Sequence, residues 1–213
     1  AEDRVALFLS LFRCREDVFP RLWENPRKGT KGYAPACRNE WVTGTCQKPR
    51  TKCSECPNRA FLPLDAGAAE AHLRGSCTIG TYAIRADDTC VFLACDFDGR
   101  GWQDSVLSYQ RAGNELGIDV AVERSRSGNG AHAWMFFSEP VPAKLARQLG
   151  TLLLARAVDR LPQMGFGCFD RFFPNQDFLP KGGFGNLIAL PLQKLPRERG
   201  NSVFMTPSLE PAS

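Results

Sequence analysis

The sequence predicts an α+β fold, a split β-α-β sheet preceded by a helical segment and a small cysteine-rich module. Three observations predict it. Beyond about residue 80, short apolar runs with strand character and two long stretches of helical periodicity follow the order strand, helix, strand, strand, helix, strand. One run, Cys90-Val91-Phe92-Leu93-Ala94-Cys95-Asp96-Phe97-Asp98, is apolar until it ends on two carboxylates one residue apart. Upstream, Cys37, Cys46, Cys53 and Cys56 gather in a polar stretch with little apolar material to hold it together. We expect residues 1–64 to form an N-terminal helical segment with a cysteine knuckle, and residues 65–213 to form the sheet-bearing core.

The elements follow in order. Asp3 to Phe12 reads as a helix with Val5, Phe8, Leu9 and Phe12 on one face, and a second short helix is expected from Asp17 to Trp23. Asp65 caps a helix that runs to about Leu73, where Gly75 can end it. Strands follow near Thr81 to Ile84 and Cys90 to Asp96, then a helix from Trp102 to Leu116 that stops at Gly117. Asp119 to Ser125 and Ala133 to Phe137 are strands joined by a short loop, as in a hairpin. Pro142 begins a helix to about Leu161, with Leu145, Leu149, Leu152, Leu153 and Val158 inward and Lys144, Arg147, Arg156 and Arg160 outward. The last strands are expected at Leu187 to Leu190 and Ser202 to Met205.

Alternate side chains of a strand share a face, so Asp96 and Asp98 point the same way while Phe97 packs on the other side. Two hard oxygen ligands at the mouth of a sheet suit Mg²⁺ or Mn²⁺, which complete their shells with water and substrate phosphates. Taken alone, such a pair also fits a strand-end turn or a solvated acidic pair. In the hairpin loop, Ser127, Gly128, Asn129 and Gly130 can turn backbone N–H groups toward phosphate oxygens. His132 re-enters the sheet there, able to contact a triphosphate as a donor. The alternative is a glycine hairpin whose histidine bonds only its neighbours. Asp170, with Phe169 before it and Phe172-Phe173 after it, is expected to end or interrupt a buried strand and therefore to need Arg171 or a metal. Three carboxylates serve two-metal nucleotidyl transfer, in which ions roughly 3.5–4 Å apart flank the attacking and leaving oxygens.

The order of an apolar run ending Asp-x-Asp, then Ser127-Gly-x-Gly-x-His132, then an apolar residue and Asp170, resembles the three catalytic motifs of the archaeo-eukaryotic primase superfamily. That superfamily includes primase-polymerases and the polymerase domains of bacterial end-joining ligases. Glu123 to Phe137 (ERSRSGNGAHAWMFF) and Asp170 to Gln193 (DRFFPNQDFLPKGGFGNLIALPLQ) are similar to the primase domain of TOTE conflict systems and of related CRISPR-associated primase-polymerases. The likeness runs from the Trp23 region to Phe204. It implies the primase catalytic core with an RNA-recognition-like sheet, and Asp96, Asp98 and Asp170 as catalytic ligands of two Mg²⁺ or Mn²⁺ ions. It further implies that His132 and Ser127 contact the phosphates of a nucleoside triphosphate. Arg126, Gln176, Lys181 and Asn186 belong to the matched strings and are expected near the nucleotide, the sugar or the template. The implied partners are single-stranded DNA template and primer, with helicase or nuclease domains of a larger protein. Two rival readings are a non-catalytic nucleic-acid-binding module with a structural ion and a metal-dependent nuclease. Only a nucleotidyltransferase needs both the acids and a triphosphate cradle.

Cys-x₂-Cys preceded by two further cysteines suits a tetrahedral structural Zn²⁺ held by Cys37, Cys46, Cys53 and Cys56, with two disulfides as the rival. The other five of nine cysteines lie mostly in apolar contexts, which favours reduced thiols and zinc. Residues 1–64 carry 12 Lys and Arg against 7 Asp and Glu, so the chain's net +4 comes from its N-terminal part. A basic knuckle with Trp41 nearby reads either as a grip on a nucleic-acid backbone or as a solubilising surface. No run of about 18 apolar residues marks a membrane span, no signal peptide is read, and a cytoplasmic location is the expectation. Pro207, Pro211 and the polar end read as the start of a linker.

Overall fold

The computed structural model describes residues 2–160 and 167–212. Its elements are α1 (Glu2–Phe12), β1 (Pro20–Asn25), β2 (Thr30–Pro35), α2 (Ala66–Arg74), β3 (Gly80–Tyr82), β4 (Thr89–Asp98), α3 (Trp102–Asn114), β5 (Ala121–Arg124), β6 (Gly130–Pro142), α4 (Ala143–Arg160), β7 (Phe169–Phe173), β8 (Leu187–Ala189), α5 (Lys194–Arg197) and β9 (Val203–Met205). The central sheet has five strands in the order β7-β4-β6-β5-β9, and every neighbouring pair in it is antiparallel. Strands β4, β5, β6 and β7 with α3 and α4 thus form the split β-α-β unit the sequence predicts, extended by β9.

Each face of this sheet has its own cover. Directly opposed residues on neighbouring strands share a face, so Phe92, Ala94, Asp96 and Asp98 of β4 lie beside Phe136, Trp134, His132 and Gly130 of β6. The apolar half of that face is covered by α1, whose Phe12 meets Trp134 and Phe136 edge-on at 5.2 and 5.4 Å. The polar half is left open. On the reverse face Phe97 packs against Tyr109 of α3 with ring centroids 5.4 Å apart. Burying both strand faces in this way is why β4 reads as a nearly continuous apolar run.

Helix α2 follows expectation closely. Asp65 accepts a bond from the Ala68 N–H at 2.9 Å and Gly75 ends the helix in the left-handed conformation. Elsewhere the structure corrects the expectation. The stretch from Asp17 to Trp23 is not helical: from Pro20 it is strand β1, paired antiparallel with β2. A residue before proline is pushed toward extended backbone, and Pro26 to Gly29 supplies the turn of a hairpin, which overrides the short apolar period. In α4, Leu145 and Leu152 are 56% and 47% exposed rather than inward. The buried face is Ala143, Ala146, Gly150, Leu153, Leu154 and Ala157, because small residues let the helix approach the sheet. The expected helix end at Leu161 lies outside the described residues. Strand β8 pairs with β3 in a separate two-stranded sheet. Asp170 does not interrupt a buried strand: β7 is an edge strand, and Asp170 and Arg171 are exposed on it. Phe172 and Phe173 are buried in the core, and Phe184 stacks on Tyr82 at 5.0 Å, so these rings pack against protein.

Candidate active site on the open sheet face

The open half of the sheet carries one row of polar side chains across four strands. Glu123 of β5 stands opposite His132 of β6, and His132 stands opposite Asp96 of β4. On the far side the pairing of β4 with β7 shifts by one residue between Phe97↔Phe169 and Cys95↔Phe172. Asp170 and Arg171 together therefore face Asp96, and this bulge aims the Asp170 carboxylate at the other acids. Asp98, two residues along β4, completes the group: ligand oxygens of Asp96, Asp98 and Asp170 all lie within 4.8 Å of one another. Arg171 Nε donates to Asp170 Oδ2 at 2.7 Å.

The acids are close enough to disturb one another. Burial pushes the Asp96 pKa up to about 6; His132 opposes the shift, while Asp98 and Asp170 add to it. Burial would lower the pKa of His132, but Glu123, and after it Asp96 and Asp98, outweigh burial and hold the imidazole above its ordinary value. His132 Nδ1–H donates to Glu123 Oε2 at 2.8 Å, and the same oxygen accepts from Trp134 Nε1 at 3.0 Å. His132 Nε2 faces Asp96 Oδ1 at 3.5 Å. Three hard oxygen donors whose mutual repulsion a cation would relieve fit Mg²⁺ or Mn²⁺.

Gly130 makes the loop compatible with this cluster. A Cβ on it would stand 2.1 Å from Asp98 Oδ1 and 2.5 Å from the Phe97 carbonyl oxygen, so only glycine lets the hairpin close over the acid. Ser127 Oγ accepts from the Asn129 N–H at 3.2 Å and lies 3.1 Å from Ser125 Oγ, which fixes the turn. Gly128 sits in the left-handed region within that turn.

Asp96, Asp98, Arg126, Ser127 and His132 share the wall of one cavity of about 620 Å³. Lys31, Arg199 and Asn201 also line it, and sequence reasoning missed all three. Lys31 was hidden by reading residues 17–23 as helix, although the Pro26 to Gly29 turn signalled a hairpin. Arg199 and Asn201 follow α5, a single turn too short to be read from periodicity. Glu123 was read only as a strand residue; a charge within an alternating apolar strand signals a buried partner.

Gln176, Lys181 and Asn186 do not line this cavity. Asn186 Nδ2 donates to the Phe172 carbonyl at 3.0 Å and its Oδ1 accepts from the Asn175 N–H at 3.2 Å, tying down the end of β7. Gln176 Nε2 donates to the Phe178 carbonyl at 3.2 Å. Lys181 is exposed on a turn. The four cysteines of the knuckle line a separate small cavity, and each is a free thiol. Among the described residues, the acidic trio is the group of three or more potential ligands within 4.8 Å of one another, so the sulfurs stand wider apart.

A split β-α-β sheet whose open face gathers three carboxylates defines an α+β fold with a site suited to divalent cations. The chain belongs to the archaeo-eukaryotic primase domain family of TOTE conflict systems, whose model matches residues 3–213. Among solved structures it is similar to the polymerase domain from Mycobacterium tuberculosis Ligase D in complex with DNA, at 15% identity and a TM-score of 0.46. That similarity covers 74% of this chain, which spans 60% of the length of that structure. No curated protein matches. Among the described residues, no helix is long and apolar enough to cross a membrane.

Proposed function

We propose that this protein is a DNA-templated primase-polymerase that makes or extends primers from nucleoside triphosphates by two-metal catalysis. The observation that carries the reading is the convergence of Asp96, Asp98 and Asp170 beside a cavity walled by His132 and Ser127. Asp96, Asp98 and Asp170 hold two Mg²⁺ or Mn²⁺ ions, which when bound supply charge stabilisation to the attacking 3′-hydroxyl and the leaving pyrophosphate. His132, whose imidazolium form Glu123 favours, donates to a phosphate oxygen. Ser127 and the Gly128-Asn129-Gly130 turn shape the wall beside the triphosphate. The Gly128 and Asn129 N–H groups, expected from sequence to meet phosphate, instead bond the Ser125 carbonyl at 3.0 Å and Ser127 Oγ at 3.2 Å within the turn. Arg126, with Lys31 and Arg199, offsets the charge of the triphosphate. Gln176 and Lys181 stand outside this cavity and are given no part in holding the triphosphate, and Asn186 braces β7. The chain works in the cytoplasm, within a larger protein bearing helicase or nuclease domains.

The Asp96→Ala/Asp98→Ala variant is expected to lose all synthesis while keeping its thermal midpoint. The assay incubates protein with unprimed single-stranded DNA, Mn²⁺ and labelled nucleotides. New product supports the proposal; a shortened template indicates a nuclease, and mere retention a binding module. Robust synthesis by the double variant would overturn the assignment.

We also propose a structural Zn²⁺ on Cys37, Cys46, Cys53 and Cys56. Backbone N–H groups of Lys48 and Trp41 bond the Cys46 sulfur and lower its pKa, whereas burial raises that of Cys53, opposed by Lys48. Amide donors aimed at sulfur stabilise the thiolate that zinc requires. Purified protein is expected to carry equimolar zinc, measured by elemental analysis.

A further inference from the structure

Of the four tryptophans, Trp102 and Trp134 are buried, whereas Trp41 and Trp23 are 68% and 44% exposed. Their surroundings set them apart from stray surface residues. Trp41 sits at a backbone φ of +61°, in the left-handed region that bulky side chains rarely adopt. Lys48 Nζ lies over its ring, 5.6 Å from the centroid. Lys48 in turn donates to Glu40 at 2.8 Å, and Glu40 also accepts from Arg21 of β1 at 2.6 Å. This chain of bonds ties the Trp41 indole to the β1–β2 hairpin.

Trp23 is two residues along β1 from Arg21, so both point to the same side of the hairpin. Its indole lies across Gly32 of β2: a Cβ there would be 3.0 Å from Cζ2 and 3.2 Å from Cε2. Each indole therefore has one surface backed by protein and another turned to solvent. The opposite side of the hairpin leads to the candidate active site. Glu24 reaches Arg126 at 3.9 Å, and both Lys31 and Arg126 line the acidic cavity. From Arg21 to Glu24 is roughly 10 Å at the rise of a strand. The knuckle is basic, with Arg38, Lys48, Arg50, Lys52 and Arg59 against Glu40 and Glu55, and both glutamates are already paired.

We propose that Trp41 and Trp23 form a stacking platform for bases of a single-stranded nucleic acid, on the side of the β1–β2 hairpin turned away from the acidic cavity. Open indoles on a module of net positive charge suit unstacked bases on a charged backbone, whereas a duplex conceals its base surfaces. The proposal rests on the template-using reading above for the identity of the strand, but not on catalysis.

The test is anisotropy of labelled oligo(dT) and oligo(rU) with the full chain. Trp41→Ala and Trp23→Ala should each weaken binding about fivefold or more, with Trp41→Phe and Trp23→Phe retaining most of the affinity. The salt dependence should not change, because stacking releases no counterions. A larger loss on one oligonucleotide identifies the strand as DNA or RNA. Quenching of wild-type tryptophan emission on titration supplies a readout that needs no variant. Wild-type affinity in the double alanine variant, an equal loss of duplex binding, or emission unmoved by saturating oligonucleotide would each overturn the platform. Failure of the catalytic reading would show as absent wild-type synthesis with stacking intact, and failure of the platform as synthesis unchanged in the double tryptophan variant.

Discussion

The acidic site and the cysteine knuckle each gather a few chemically matched side chains, but different forces position them. Glu123, His132, Asp96 and Asp170 occupy successive places along the hydrogen-bond ladder of β5, β6, β4 and β7. Their spacing is a property of the sheet and is present without any ligand. Between Cys37 and Phe61, by contrast, the chain runs through turns. Those turns are held by side-chain bonds such as Asn39 Nδ2 to the Asn58 carbonyl at 2.7 Å and Asn58 Nδ2 to the Thr45 carbonyl at 2.9 Å. A sheet delivers geometry in advance, while a knuckle relies on whatever binds its cysteines.

The strongest way to break that contrast is Gly130→Ala. With the added methyl 2.1 Å from Asp98 Oδ1, either the hairpin or the carboxylate must move. We expect a loss of about 3 kcal/mol in denaturant unfolding, together with loss of Mn²⁺ binding by calorimetry and unchanged zinc content. Zinc lost along with manganese would mean that the two regions are not independently positioned.

Acid separates the knuckle from the core beneath α2 by pH window. Burial of His72 depresses its pKa to about 4, opposed by its bond to the Pro191 carbonyl at 2.9 Å. The unfolded chain takes up this proton near the ordinary histidine value of about 6.5. Stability is therefore complete above that value and falls as pH drops toward 4, by on the order of 3 kcal/mol. In the knuckle, burial raises the pKa of Glu40, but hydrogen bonds from Lys48 and Arg21 outweigh burial and hold it below the ordinary 4.5. Its contribution persists above 4.5 and is lost only as pH falls through the lowered value. Asp96, whose pKa burial raises to about 6, takes up a proton on folding and adds stability as pH falls over the same window. The fall is therefore read in an Asp96→Asn background, whose urea midpoint between about pH 7 and pH 4 should drop before the Trp41 environment, followed by fluorescence, changes. A simultaneous change would remove the distinction.

How far the site could be read from sequence follows the same division. Asp96 and Asp98 were legible because alternation along one strand is local, and His132 because its loop and strand are adjacent in sequence. Asp170 was legible as their neighbour only through the motif order that carries the resemblance, since a bulge in β7, which no local pattern shows, aims it. Lys31 and Arg199 were invisible because they reach the cavity from elements far along the chain. In α4 the pattern of leucines misled: Gly150 and the alanines mark the buried face, and apolar periodicity cannot recognise a face chosen for closeness of approach.

Glu123→Gln sharpens the comparison with the smallest expected effect. The substitution keeps the size of the side chain and an oxygen to accept from His132 Nδ1–H and Trp134 Nε1–H, but removes the charge that favours the imidazolium. A hydrogen bond to a charged acceptor is about twice as strong as a neutral one, so the loss should be roughly 1 kcal/mol. Because His132 is assigned to the phosphates, the KM for nucleoside triphosphate should rise about fivefold, a factor equivalent to that energy, with kcat little changed. Glu123→Ala, which also leaves the Trp134 N–H unpaired in the core, should instead lower the thermal midpoint. An equal fall in kcat and rise in midpoint for Glu123→Gln would show that the carboxylate merely strains the sheet, and that the row across β5, β6 and β4 does not act on the nucleotide.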